Sequence, residues 1–135
     1  MFLIMAEQGG ITPLNDKLLA LIGTGGINSL GLPKREIFLL DIIVAGTTHV
    51  DNIHELKAQI VPGTLLKMVR RPKNIYDEKA IALFMGADQI GYVPRTLNLI
   101  ISRLMDAGKE FYAKVTEVTE RGEWVRIEAK IYMVE

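Results

Sequence analysis

The sequence lacks several features, and each absence excludes a type of chemistry or a class of protein. It has no cysteine among 135 residues, which excludes disulfides, thiolate catalysis and cysteine-ligated metal centres and fits a reducing compartment. It has no excess charge of either sign, because 16 basic residues balance 16 acidic ones, so any site for a polyanion has to be local. The apolar opening, Met1 to Ala6, is too short for a signal peptide or for the roughly 20 residues that span a bilayer. We therefore expect a cytoplasmic protein without a membrane-spanning segment.

The sequence does contain enough apolar material for one folded domain. Hydrophobic residues make up 49% of the chain, and a single core is usual for chains of roughly 100 to 150 residues. The first part differs from the rest: a helical pattern over Pro13 to Ile22 precedes the glycine cluster Gly23 to Gly26, which we interpret as a helix stop. We therefore predict an N-terminal arm over residues 1–34 and a folded domain over residues 35–135.

Strand patterns dominate the predicted domain. Apolar runs and alternating patterns bounded by turn residues predict six strands, over residues 36–46, 64–70, 80–85, 89–93, 109–119 and 124–134. Helical spacing predicts a short helix over residues 50–59 and a clearer one that begins at Pro94 and ends at Gly108. This arrangement is typical of a mainly β protein, a small and partly open barrel of about six strands with one or two helices.

Two finer predictions concern burial. The first strand is rich in Ile, Phe, Leu and Val and is expected to be buried on both faces, with Asp41 as the exception. The clearer helix is expected to bury its apolar stripe, which consists of Leu97, Ile100, Ile101, Leu104 and Met105. Its polar side is expected to face solvent and consists of Arg95, Asn98, Ser102 and Arg103.

A cluster of basic residues is the first sign of a binding site. No acidic residue interrupts the cluster, which comprises Lys67, Arg70, Arg71 and Lys73. Asn74 and Tyr76 follow directly. Because Lys and Arg pair with phosphates while unstacked bases stack on aromatic rings, this pattern is typical of single-stranded nucleic-acid binding. A solvated charged loop between two strands has the same composition.

Two motifs in this region are more specific. The first lies between Leu66 and Leu83 and contains an Arg-Arg-Pro, the turn Asn-Ile-Tyr-Asp and an Ala-Ile; the second is Gln-Ile-Gly-Tyr-Val-Pro-Arg, from Gln89 to Arg95. In this order and spacing they resemble the HIRAN domain family, from about Glu36 to the C-terminus. The resemblance implies an OB-like β-barrel. It also implies capture of the 3′ end of single-stranded DNA, as in DNA-damage-tolerance remodellers of the helicase-like transcription factor type.

The resemblance further implies a pocket, lined by Asn74, Tyr76, Asp77, Tyr92 and Arg95. In this pocket Tyr76 would stack on the terminal base, Asp77 would accept a hydrogen bond from a free 3′-hydroxyl, and Arg95 would hold a phosphate. The carboxylate would also repel a strand that continues beyond this point. Alternatively, Tyr76 or Tyr92 is a buried ring that caps the barrel, and Asp77 caps the turn through backbone amides.

The sequence departs from the family pattern at several positions. Ile75 replaces a frequent proline of the turn, and Arg71 stands where an acidic residue is usual. In the end-binding member of the family, three further positions carry a basic residue and paired tyrosines. In this sequence the same positions are occupied by Thr48, His49 and Val50. Because stacking contributes about 1 to 3 kcal/mol per base, these replacements are expected to weaken end recognition about tens- to hundreds-fold.

Other chemistries have weaker support. No metal site is predicted, because the spacing is unsuitable for the nearest candidates, which are His49, Asp51 and His54. A metal-dependent nuclease would use Asp77, Glu128 and Lys130, although Glu128 and Lys130 more simply form a charged face of the last strand. The main alternative is a module that binds a protein partner.

The sequence therefore predicts a module without enzymatic activity or cofactor that binds single-stranded DNA, or its 3′ end, in DNA repair or processing. The predicted binding residues are Lys67, Arg70, Arg71, Lys73, Asn74, Tyr76, Asp77, Tyr92 and Arg95. Neither motif bears on the oligomeric state.

Overall fold

Six antiparallel strands build the domain. The computed structural model describes residues 35–135, so the predicted arm helix and glycine cluster lie outside the described residues, and the domain boundary stays a prediction. The strands are β1 Glu36–Ile43, β2 Leu65–Arg70, β3 Ile81–Met85, β4 Asp88–Tyr92, β5 Glu110–Arg121 and β6 Trp124–Val134. The helices are α1 Ile53–Leu56 and α2 Asn98–Asp106, and 3₁₀ turns lie at Thr47–His49 and Arg95–Leu97.

The strands form one sheet whose two ends meet. Hydrogen-bonded neighbours follow the order β1, β6, β5, β2, β3, β4. Just after β1, the backbone of Ala45 exchanges two hydrogen bonds of 2.8 Å with Tyr92 of β4. Gly91 permits this approach, because a Cβ there would lie 2.5 Å from the carbonyl oxygen of Ala45. This contact, which we call the seam, joins the two edges of the sheet at one point and gives a partly open barrel.

The interior of the barrel is apolar. Along β6 the buried side chains alternate with partly exposed ones, as predicted, and they are Val125, Ile127, Ala129 and Ile131. Burial of each large aliphatic side chain contributes roughly 1.5 to 3 kcal/mol. The mainly β, partly open barrel confirms the predicted fold class. Across residues 35–135, no helix has the length and apolar character needed to cross a membrane.

The prediction that β1 is buried on both faces is wrong. Ile42 is the one fully buried residue of β1, whereas Phe38 and Ile43 are 47% and 41% exposed. The strand lies in the wall of a barrel, which buries its inward side chains and leaves the outward ones accessible. An almost continuous apolar run therefore does not require cover on both faces.

The helices also differ from the prediction. α1 has only four residues, because the flanking segments form turns instead. On α2, Asn98 and Ser102 are buried, whereas Ile100 is 62% exposed. The buried polar atoms have partners: Asn98 donates to Asp77, and the Ser102 hydroxyl donates to the carbonyl of Leu99. Hydrogen bonding thus outweighs the apolar pattern at the start of α2.

Candidate nucleic-acid interface

A pocket of about 340 Å³ opens beside the seam. Its walls come from the segment after β1, the loop between β2 and β3, the end of β4 and the turn before α2. It is lined by Ala45, Gly46, His49, Asn74, Tyr76, Asp77, Ala80, Tyr92, Val93 and Arg95. All five residues that the family resemblance assigns to a pocket lie together in this lining.

The loop between β2 and β3 forms the polar side of the pocket. Oδ1 of Asn74 accepts hydrogen bonds from the backbone N–H groups of Tyr76 at 2.8 Å and Asp77 at 3.1 Å. This local pattern stabilises a turn without a proline, which explains why Ile75 is tolerated. The turn leaves Ile75 and Tyr76 at the surface, 87% and 80% exposed, and directs the Asp77 side chain inward.

The Asp77 carboxylate is fixed by three neighbours. Its Oδ2 accepts a hydrogen bond from Nδ2 of Asn98 at 2.8 Å and lies 3.8 Å from Nε of Arg95, while its Oδ1 accepts one from the N–H of Lys79 at 2.9 Å. The Asn98 bond, followed by the Lys79 amide and the Arg95 charge, lowers the pKa of Asp77 below its ordinary value. Each carboxylate oxygen has two lone pairs, so Asp77 can still accept a hydrogen bond from a ligand.

Two tyrosines and an arginine complete the rim. The interpretation of Tyr76 as a buried cap is wrong, because its ring is exposed. Tyr92 is partly buried, and its backbone forms the seam. The Arg95 side chain is 75% exposed and donates from Nη2 to the carbonyl of Tyr76 at 3.3 Å. The predicted turn cap by Asp77 is present in its bond to Lys79, and it coexists with a place in the pocket.

The basic cluster lies outside the pocket lining. Arg70 is largely buried and holds the loop against α2: it bonds both carboxylate oxygens of Asp106, at 2.9 and 3.3 Å, and the carbonyls of Ala80 and Glu78, at 2.8 and 3.0 Å. The exposed cations of this cluster, for which residues 35–135 provide no carboxylate partner, are Lys67, Arg71 and Lys73. Their role in binding stays a prediction, as does that of Arg70.

Sequence reasoning missed two contributors to the site. Asn98 was expected to face solvent, but its side chain positions Asp77. A polar residue in the first turn of an apolar helix could have indicated this role only if the fold, which brings the helix next to the loop, were already known. His49 lines the pocket from the 3₁₀ turn after β1, although the sequence identifies it only as a departure from the family and as part of an unsuitable metal site. Thr47 anchors that turn through a hydrogen bond of 2.9 Å from its hydroxyl to the carbonyl of Val125.

The residues of the alternative chemistries are engaged elsewhere. In the part of the chain that the structure describes, no three His, Asp or Glu side chains are grouped to hold a metal ion. His54 contacts Glu120 at 3.2 Å and does not line the pocket with His49. Glu128 forms an ion pair with Arg126, and Lys130 forms one with Asp41 at 2.8 Å. Neither Glu128 nor Lys130 lines the pocket with Asp77.

The fold and the pocket define a class of small OB-like barrels with a recess beside the seam. The profile of the HIRAN domain matches residues 37–134, and the chain therefore belongs to the HIRAN domain family. Domains of this family are nucleic-acid-binding modules. The resemblance found in the two sequence motifs is thereby confirmed.

Two solved structures share this fold. A protein from Lactobacillus plantarum is similar with a TM-score of 0.70 and 25% sequence identity, over 76% of this chain and 99% of that chain. The HIRAN domain of human HLTF is similar with a TM-score of 0.55 and 17% identity, over 74% of this chain and 81% of that chain. Comparison with curated proteins gives no match.

Proposed function

We propose that this chain is a non-enzymatic module that captures the 3′ end of single-stranded DNA in the pocket beside the seam. The observation that carries the proposal is the inward Asp77 carboxylate, hydrogen-bonded in its ionised form and flanked by the exposed Tyr76 and Arg95. Membership of the HIRAN domain family supports nucleic acid as the class of ligand.

Each of these three residues has a separate chemical role. The Tyr76 ring, which the Asn74 turn holds at the surface, stacks on the terminal base and contributes about 1 to 3 kcal/mol. Asp77 accepts a charge-assisted hydrogen bond from the 3′-hydroxyl. Arg95 pairs with the phosphate that precedes the terminal nucleoside, because its exposed guanidinium lies beside that carboxylate.

The same carboxylate selects among ends. A 3′-phosphate or a continuing strand would bring negative charge against Asp77, which its neighbours keep ionised. A free 3′-hydroxyl instead donates a hydrogen bond to the Asp77 carboxylate. This selectivity suits a protein that acts at DNA ends during repair or processing.

Fluorescence anisotropy with two otherwise identical labelled oligonucleotides tests the proposal. One has a free 3′-hydroxyl and the other a 3′-phosphate, and both are measured at two salt concentrations. We expect the hydroxyl end to bind at least about tenfold more tightly, which corresponds to about 1.4 kcal/mol. Asp77→Asn keeps the shape of the side chain and removes its charge, so the preference for the hydroxyl is expected to shrink.

Asp88→Asn is the matched control, because Asp88 begins β4, is exposed and does not line the pocket. It should leave the preference unchanged. Equal affinity for both ends in the wild type, with no effect of Asp77→Asn, would contradict end capture and leave a general single-strand binder. Tyr76→Ala should lower the affinity for both ends without loss of stability, because the ring is exposed.

A second candidate function is contact with a protein partner. Leu97, Leu99 and Ile100 are 41%, 40% and 62% exposed at the start of α2, and neighbouring exposed apolar residues of this kind are typical of protein contact surfaces. Light scattering of the wild type and of Ile100→Glu tests whether this surface mediates self-association. A protein that binds no single-stranded DNA at low salt, and whose association is abolished by Ile100→Glu, would favour this function.

A further inference from the structure

The basic cluster places two cations on the outside of the barrel, next to an aromatic ring. On β2, Leu66 and Met68 are buried, so Lys67 between them points outward. Its cross-strand partner is Phe84 of β3. Arg71 directly follows β2, and its guanidinium carbon lies 5.4 Å from the centre of the Phe84 ring. We call Lys67, Arg71 and Phe84 the outer track.

The outer track begins at the pocket. The N–H of Arg71 donates to the carbonyl of Ala80, a pocket residue, at 2.9 Å. The pocket residue Tyr92 is the cross-strand partner of Ala82, which lies two residues before Phe84 on the same face of β3. Two residues of a strand span about 7 Å, so Phe84 lies about 7 Å along β3 from the residue that pairs with Tyr92. Ala82 is itself buried, so a single strand that leaves the pocket passes over the side chains around it and reaches Phe84 close to the captured end.

The charges of the outer track are available to a polyanion. Within residues 35–135, neither Lys67 nor Arg71 has a carboxylate partner. An arginine that stacks on a ring keeps its N–H donors at the edge of the guanidinium plane, where phosphate oxygens can accept. The similar pair of Phe38 and Lys130, with the ammonium 4.6 Å from the ring centre, differs because Lys130 is bonded to Asp41 at 2.8 Å.

We propose that the outer track binds the nucleotides that precede the captured 3′ end, and so fixes the direction in which single-stranded DNA crosses the barrel. This inference rests on the proposed function, since the end has to lie in the pocket. Phe84 and the Arg71 guanidinium that lies on its ring together form a platform on which a base close to the captured end stacks. Arg71 and Lys67 pair with the phosphates on either side of that base, and the strand then leaves toward β5, which neighbours β2 at Lys67.

Oligonucleotides of graded length test the proposal. With 5′-labelled oligothymidylates that all have a free 3′-hydroxyl, we expect the affinity measured by anisotropy to rise up to about five or six nucleotides and then to level off. Phe84→Ala should lower the affinity for an octamer at least about fivefold, the lower end for one base stacked on a ring. It should leave the affinity for a mononucleotide unchanged, because the base that reaches Phe84 is then absent. Phe84→Leu keeps apolar packing without the ring and should show the same length-dependent loss.

Salt dependence tests the two cations separately from the ring. For single strands each phosphate contact contributes about 0.7 to the slope of log affinity against log salt. The double variant Lys67→Ala with Arg71→Ala should therefore lower the slope for the octamer by about 1.4 and leave that for a mononucleotide unchanged. The matched controls Phe38→Ala and Lys130→Ala remove the same kinds of group from β1 and β6, and should change neither the slope nor the length profile.

The outcomes separate the two proposals. An affinity that does not rise beyond the mononucleotide, or an octamer affinity that both Phe84 variants leave unchanged, overturns the outer track even where the preference for a 3′-hydroxyl persists. Equal affinity for both ends, together with a length-dependent loss in the Phe84 variants, overturns end capture and the direction inferred from it. Equal losses in the Phe38 and Phe84 variants also overturn the proposal, because the effect would then not belong to the outer track.

Discussion

Two parts of the barrel surface carry the same kinds of residue but use them differently. One is the pocket with its rim. The other is the outer ribbon, which we define as five accessible side chains of β1, β5 and β6, namely Phe38, Tyr112, Lys114, Lys130 and Tyr132. In the outer ribbon the rings of Tyr112 and Tyr132 stack at 5.2 Å, the Tyr112 hydroxyl donates to Glu36 at 2.7 Å, and Lys130 is bonded to Asp41. These groups satisfy one another.

At the pocket the comparable groups remain available. Tyr76 is exposed without a ring partner among residues 35–135, and Arg95 keeps most of its guanidinium in solvent. Aromatic rings and cations on a β surface therefore do not identify a ligand site by themselves. The pocket differs from the outer ribbon in that neighbouring side chains do not already cover the faces of its rings or accept all the hydrogen bonds that its cations can donate.

The largest expected effect concerns Arg70, the member of the basic cluster that is bonded within the protein. Arg70→Ala removes bonds to two backbone carbonyls and a carboxylate, so the free energy of unfolding is expected to fall by about 2 to 3 kcal/mol. Urea denaturation measures this change. Lys73→Ala, at an exposed residue three positions later, should change it by less than about 0.5 kcal/mol. Similar stabilities of the two variants would contradict the division between bonded and available cations.

His49→Tyr tests the comparison between pocket and outer ribbon by adding an aromatic ring at the pocket. His49 lines the pocket, so a larger ring there should add stacking area for a base, and we expect about five- to tenfold tighter binding of single-stranded DNA by anisotropy. Thr48→Tyr is the control, because Thr48 is exposed but does not line the pocket. An equal gain from both variants would indicate a general effect of surface tyrosines.

Acid is expected to weaken the pocket through Asp77. Its pKa is lowered in the folded protein, so the stabilisation by its charge is present above the unfolded value of about 3.9 and is lost as the pH falls through the folded value. The difference in unfolding free energy between the wild type and Asp77→Asn should therefore shrink below about pH 4. Denaturation at a series of pH values measures it, and a constant difference would contradict this account.

The smallest effects are expected in the outer ribbon. Tyr112→Phe removes one hydrogen bond at the surface and should leave DNA affinity unchanged. The bond to Glu36 and partial burial raise the pKa of Tyr112 to about 12. Because this folded value exceeds the unfolded value of about 10, the stabilisation persists below about pH 10 and is lost as the pH rises toward 12. A clear loss of DNA affinity in Tyr112→Phe would break the comparison.

The strands were predictable because their signal is local. The alternation along β6 follows from the two-residue period of a strand, and the same residues that alternate in the sequence alternate in burial. The pocket residues were predictable only through the family motifs, since nothing in the pattern around Asn74 shows that Tyr92 and Arg95 lie beside it.

Other features depend on partners distant in sequence. Arg70 and Lys73 look alike in the basic cluster, and only Asp106, 36 residues beyond Arg70, distinguishes them. Asn98 was assigned to the wrong face because helical periodicity weighs apolar side chains and cannot include a bond to Asp77, 21 residues earlier. Tertiary hydrogen bonds therefore set the limit of what this sequence could predict.

Because the pocket lies beside the seam, binding of the proposed ligand is expected to stabilise the contact that joins the two edges of the sheet. Tyr92 closes the barrel with its backbone and lines the pocket beside Ala45, so a DNA end bound there would act as a reversible cross-link between two distant chain segments. A ligand at 100 times its dissociation constant stabilises the form that binds it by about 2.7 kcal/mol. The amide protons of Ala45 and Tyr92, which form the seam, would then exchange with solvent about a hundredfold more slowly wherever seam opening is the event that exposes them.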